Sequence, residues 1–137
     1  MTDNVADLTR EWQAHLAHER RVSPHTLRAY GDDVSRFIAF QRAHLGAAIG
    51  ERALASLKTA DIRAFIAARR SEGLGAGGVQ RAMAGIRSFY RFLAKERILE
   101  NANVRAVKTP RLKRRLPRPL SVADAERAIA EAGEHNI

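Results

Sequence analysis

Arg81, Arg87, Arg91 and Lys95 recur so that, at ~100° per residue, they share one arc of a helix, roughly opposite an apolar stripe centred near Met83 and Tyr90. Such a face is almost purely positive and suits a polyanion, because each guanidinium or ammonium offers charge-assisted hydrogen bonds to phosphate oxygens. His25, Arg28 and Arg36 form a second set near the start of another helix, where free backbone N–H groups also attract phosphate. Asp32 stands four residues from both Arg28 and Arg36, so a surface ion-pair ladder accounts for those two equally well. A third set, Arg105, Lys108, Arg111, Lys113, Arg114, Arg115 and Arg118, lies between Val104 and Pro119 with no acid among it. It reads as a cationic strap able to track a duplex backbone, or as a solubilising tail.

Catalytic chemistry finds less material. Of the five histidines, only His15 and His18 share a helical face, and the chain has no cysteine, so no metal ligand set and no disulfide can be read. Tyr30 and Tyr90 each fall on an apolar stripe, which predicts core residues with the hydroxyl reaching the edge rather than nucleophiles. Gly75, Gly77 and Gly78 follow a helix, with no strand before them and no Lys-Ser/Thr pair after, so they read as a flexible joint and not as a phosphate-binding loop. No catalytic residue, cofactor or metal is therefore expected in this chain.

The elements that must position the cations follow from periodicity. A chain of 137 residues that is 45% hydrophobic can bury one core, and 24 Lys and Arg against 15 Asp and Glu leave a formal charge of +9 that favours nucleic acid as partner. Leu8, Trp12 and Leu16 predict a first helix over about 5–20. Ser23 as cap and Pro24 at the first helical position open a second, whose apolar members Leu27, Tyr30, Val34, Phe37, Ile38 and Leu45 carry it to about His44. After a loop, Thr59 caps a third helix that Gly73 ends, and a fourth runs from Val79 to about Arg97. A short helical turn follows Asn101. Pro110, Pro117 and Pro119 keep the basic stretch extended, and Ser121 with Asp124 opens a last helix over 122–132. No period-two pattern appears, so the fold class is all-α: a four- to five-helix bundle with a basic linker and the start of a further helix. With no apolar run long enough to span a bilayer and no secretory leader, the cytoplasm is the expected compartment.

The run SPHTLRAY at 23–30, followed by Asp33, Phe37 and Phe40, resembles the second-helix signature of the SAM-like N-terminal domain of tyrosine recombinases and phage integrases. The stretch RAMAGIRSFYRFL at 81–93 and the segment from Pro110 to Leu120, which is similar to that family's linker, extend the resemblance over nearly the whole chain. The wording around Arg115 to Ser121 looks like the Xer type, and more like XerC than XerD. This resemblance implies a core-binding domain over 1–107, an interdomain linker over 108–120 and the first residues of a catalytic domain over 121–137. It further implies that the chain stops before the Arg, His, Lys and Tyr motifs that cut and rejoin DNA. By the same resemblance, the second and fourth helices cross the major groove. The matching DNA-contacting positions are His25, Thr26 and Arg28, then Arg81, Arg87 and, as a further candidate, Arg91. Lys108, Arg111, Lys113, Arg114 and Arg115 follow on the linker. Partners implied are a double-stranded recombination site and a related XerD-like recombinase, forming a tetramer on DNA that resolves chromosome dimers at cell division. The chain departs from the pattern at Gly77 and Gly78, where relatives often carry polar or basic residues, and at Ala102, where proline is usual.

Two other classes of function fit parts of the pattern. A helical adaptor for an acidic protein would use the same basic face, and sequence-selective DNA binding separates it from a recombinase domain. An RNA-binding module lacks the exposed aromatic platform on which bases stack.

Overall fold

Where periodicity predicts four helices and a further turn, the computed structural model has six among the residues it describes, 4–19, 22–96 and 98–110. They are α1 (Asn4–Glu19), α2 (Pro24–Leu45), α3 (Glu51–Ser56), α4 (Thr59–Ser71), α5 (Ala76–Lys95) and α6 (Ala102–Ala106), and no strand occurs among the described residues. The expected last helix at 122–132 and most of the linker lie outside them.

The predicted stripes form the core, except that Leu45, at the last turn of α2, is exposed, and Leu27 and Tyr30 are only half-buried. Val5, Leu8, Trp12 and Leu16 of α1, Val34, Phe37 and Ile38 of α2, and Val79, Met83, Ile86, Phe89, Tyr90 and Leu93 of α5 are all buried. Burying each large side chain of this kind contributes roughly 1.5–3 kcal/mol relative to leaving it in water. Trp12 packs its ring 5.4 Å from Phe89 and donates its indole N–H to Ser88 Oγ at 3.0 Å, so its one polar atom is satisfied inside the core. Phe37 meets Phe65 of α4 edge to face at 5.2 Å.

Helix α2 begins as its sequence requires. Ser23 Oγ accepts the Thr26 N–H at 3.0 Å and Pro24 fills the first turn, while Gly46, at φ 69°, ends the helix in the left-handed conformation and returns its N–H to the Arg42 carbonyl. Its middle presses closely on α5: a Cβ added to Gly85 would stand 3.2 Å from the Tyr30 ring and 3.3 Å from the Tyr30 Cα. A side chain there would force α2 and α5 apart by a few tenths of an ångström.

Four expectations are corrected. The loop before α4 contains α3, a helix too short to show an amphipathic period, which exists because Ile49, Leu54 and Leu57 are drawn into the core. The capping position of α4 belongs to Lys58 rather than Thr59, and the Asp61 carboxylate accepts the Lys58 N–H at 2.8 Å. Gly77 and Gly78 are not a joint but the first turn of α5, whose N-cap is Gly75. The role of Gly78 is packing, since a Cβ there would meet Leu74 Cδ1 at 2.4 Å; the positive φ that relieves the chain reversal belongs to Gly73, at 102°. Finally, the Tyr90 hydroxyl does not reach an edge but donates inward to the Leu54 carbonyl at 2.9 Å.

That hydrogen bond belongs to a buried polar knot joining α3, α5 and α6. Asn101 Nδ2 donates to the carbonyls of Leu54 and Leu57 at 3.0 Å each, and its Oδ1 caps α6 by accepting the Asn103 N–H at 2.8 Å. Asn103 Nδ2 adds a bond to the Leu57 carbonyl at 3.1 Å. Two carbonyls at the C-terminal end of α3, those of Leu54 in its last turn and of Leu57 at its cap, are thereby satisfied by side chains far along the chain.

Candidate nucleic-acid interface

Helix α5 is buried over most of its circumference, which leaves one narrow strip for solvent. Arg91 and Lys95 are exposed on it, Ala84 and Gln80 are half-buried, and Arg81 and Arg87 stand at its two borders. The border residues are held. Arg81 reaches back to α2, where its Nε donates to Asp33 Oδ2 at 3.0 Å and its Nη2 to Asp33 Oδ1 at 3.3 Å. Asp33 is only 2% exposed, while the Arg81 side chain keeps 49% of its surface. This hydrogen bond, helped by the charges of Asp33 and Asp32, raises the Arg81 pKa against the opposing effect of burial, so the guanidinium stays charged.

Arg87 points the other way, across to α6. Its Nε donates to the Val104 carbonyl at 3.2 Å and its Nη2 to that of Val107. Burial, and secondarily the charge of Arg91, lower its pKa. Gln80 makes a parallel contact, donating from Nε2 to the Pro110 carbonyl at 2.8 Å, so the segment after α6 is clasped to α5 at two levels. Lys108, inside that segment, is exposed. Below the strip a cleft of about 650 Å³ opens between α5, α6 and the end of α1; Arg87, Arg91, Lys95 and Arg105 line it, with Glu100 as its one carboxylate.

On α2, His25 and Arg28 are exposed and Thr26 is half-buried; no acid occupies the first turn of the helix. Among the described residues neither Arg28 nor Arg36 closes an ion pair with Asp32, so the ladder that spacing allowed is not formed there. The structure therefore places the α2 and α5 candidates on two helices packed against each other and leaves Arg28, Arg36, Arg91 and Lys95 of these two helices without a hydrogen-bond or ion-pair partner among the described residues. Arg111, Lys113, Arg114 and Arg115 lie outside those residues.

Sequence reasoning passed over three residues of this region. Asp33 carried a signal: it sits beside Val34 and four residues before Phe37, so a carboxylate falls on the buried stripe, and a buried carboxylate needs a cation. Gln80 and Asn101 gave none beyond their positions near helix starts. The burial of Tyr90 pushes its phenol well above the ordinary range and keeps it neutral, which leaves it unsuited to nucleophilic attack. Among the described residues no group of three His, Cys, Asp or Glu could hold a metal ion, and no helix is long and apolar enough to cross a membrane.

The chain matches the family model described as phage integrase, N-terminal SAM-like domain, over residues 9–97. It is similar to the tyrosine recombinase XerC of Mesorhizobium japonicum, with 41% identity over 90% of this chain, and to that of a Methylobacterium species, with 44% over 89%. To the XerC of Methylobacterium nodulans it is 47% identical over 83% of its length. The chain spans 35–39% of the length of these three relatives. No solved structure is significantly similar to it.

Proposed function

Because the chain belongs to the family of phage integrase N-terminal, SAM-like domains, we propose that it is the core-binding part of a XerC-like site-specific tyrosine recombinase and holds one half of a recombination site. The observation that carries this reading is the strip of cations along α5, exposed at Arg91 and Lys95, with further exposed basic side chains, His25 and Arg28, at the start of α2. A duplex backbone is the polyanion that such an elongated array fits, through phosphate contacts that release counterions.

On this reading His25, Thr26, Arg28, Arg81 and Arg91 contact DNA directly, and Arg87 does so only through the N–H groups that its two carbonyl bonds leave free. Lys108, Arg111, Lys113, Arg114 and Arg115 supply the strap. The domain boundary falls near 107, where α6 is clasped to α5, with 108–120 as linker and 121–137 as the beginning of the catalytic domain. The whole protein then cuts and rejoins DNA through a tyrosine that is neither Tyr30 nor Tyr90. It works in the cytoplasm, in a tetramer with a XerD-like partner, and resolves chromosome dimers at cell division.

Fluorescence anisotropy with a labelled Xer-type half-site duplex and a scrambled duplex, each at several salt concentrations, tests the reading. Preference for the half-site is the expected result. Equal and steeply salt-dependent binding would move specificity out of this chain, and absence of binding at low salt would sink the DNA reading in favour of an acidic protein partner.

A further inference from the structure

We propose that Asp33 is the positioning residue that makes Arg81 a reader of guanine, by fixing the guanidinium so that its free end faces a base edge in the major groove. The inference rests on the DNA-binding reading above.

The geometry comes first. Asp33 and Arg81 are 48 residues apart and meet only because α2 crosses α5 there. Both carboxylate oxygens accept from the same guanidinium, one from Nε and one from Nη2. Arginine has five N–H donors in a planar fork. The pair engages the edge that carries Nε, which leaves the edge between Nη1 and Nη2 unengaged, on a side chain that keeps about half its exposure. That edge presents two parallel donors, and guanine presents two matching acceptors, O6 and N7, in the major groove. A guanidinium already held in place loses less rotamer freedom on binding than a free one.

The electrostatics favour a base over a phosphate at this position. Asp33 neutralises Arg81, and Asp32 next to it adds a second negative charge within reach of the same guanidinium. A phosphate oxygen approaching there meets two carboxylates, whereas a neutral base edge meets only the aimed donors. Arg91 and Lys95 on the same helix are exposed without a recorded carboxylate partner among the described residues, and they are suited to phosphate. The crossing of α2 and α5 thus separates a reading cation from positioning cations, although all are basic residues of one helix.

The test uses the 137-residue chain and begins by selecting its preferred sequence from a randomised duplex library. Each guanine of the selected duplex is then replaced singly by 7-deazaguanine, which lacks the N7 acceptor, and affinities are read by anisotropy. The wild-type chain is expected to lose about tenfold at one guanine. Arg81→Ala and Arg81→Lys should bind the two duplexes alike at that position, because lysine keeps the charge and lacks the fork. Asp33→Asn should cut the discrimination to threefold or less while the salt dependence stays the same or steepens by up to about one unit of slope, because the freed Arg81 charge becomes available to phosphate, a pattern that mere loosening of the fold does not produce. Circular dichroism checks that each variant is helical; should Asp33→Asn fail to fold, the half-exposed Arg81→Lys decides alone. No guanine whose penalty depends on residue 81, or a folded Asp33→Asn that retains the full penalty, overturns the inference and leaves DNA binding intact. If the library yields no preferred sequence, sequence reading by this chain fails as a whole and the inference with it.

Discussion

At the α2–α5 crossing a buried carboxylate is met by one guanidinium, whereas at the α3–α6 knot the buried polar groups are neutral: two backbone carbonyls, the Tyr90 phenol and the Asn101 amide, with the exposed Asn103 adding a bond from the rim. The crossing is one-sided. Asp33 is enclosed but Arg81 stays half-exposed, so the pair has donors left for a ligand. The knot is closed, with Tyr90 5% and Asn101 8% exposed, and it spends its capacity on satisfying helix ends. Polar groups inside this small bundle therefore fall into two kinds: those that hold the architecture and those that hold a cation at its surface. Charge at the crossing is compatible with partial exposure, because an ion pair needs only one partner desolvated; a carbonyl cluster in the core has to be matched completely.

The largest effect that would sharpen this contrast is on the knot. Asn101→Ala removes two donors from the Leu54 and Leu57 carbonyls and the cap of α6, and it is expected to cost about 2–4 kcal/mol of unfolding free energy in a denaturant titration. A loss below 1 kcal/mol would mean that the knot is not the closed network described. At the crossing, Gly85→Ala brings a methyl within 3.3 Å of the Tyr30 backbone, and net destabilisation of about 1–2 kcal/mol is expected after alanine's better helix propensity is counted. A gain in stability would show that α2 and α5 can part without cost.

Tyr90→Phe should cost less, about 0.5–1.5 kcal/mol, because the Leu54 carbonyl keeps its bond from Asn101. On the cationic strip, Arg91→Ala should change the melting temperature little, by less than about 0.5 kcal/mol in stability. It should flatten the salt dependence of DNA binding by about one unit of slope. An unchanged slope would remove Arg91 from the phosphate contacts. The smallest effect concerns acid. The Lys58 N–H, more than the nearby His44, holds the Asp61 carboxylate below its ordinary 3.8, so its stabilising contribution is present above that value and disappears as pH falls through the folded-state pKa. Asp61→Asn should accordingly be less stable than the wild type at neutral pH and converge with it in acid.

Much of the architecture is legible from periodicity. The stripes of α1 and α5, that of α2 apart from the exposed Leu45, the Ser23 cap with Pro24 and the terminating role of Gly73 stand where the residues put them, since they depend on 3.6 residues per turn and on local backbone preference. Helix α3 is hidden because six residues are too few to show a period, and Gly77 with Gly78 mislead because glycine also occurs inside a helix, where Gly78 packs against Leu74. Of the candidate contacts, the sequence placed the arginines of α5 on one arc but could not say that two of them are engaged.

By itself, then, the sequence determined the helices, the basic surplus and the family to which the chain belongs. Only the tertiary structure decided which cations are free. Arg81 finds Asp33 across 48 residues and Arg87 finds the carbonyls after Asn103, while Arg91, four residues from Arg87, meets no recorded acceptor among the described residues. The reason is geometric: spacing along one helix sets the direction in which a side chain leaves it, but what waits there is set by how closely a second helix can cross. In this chain that distance is governed by Gly85 against Tyr30.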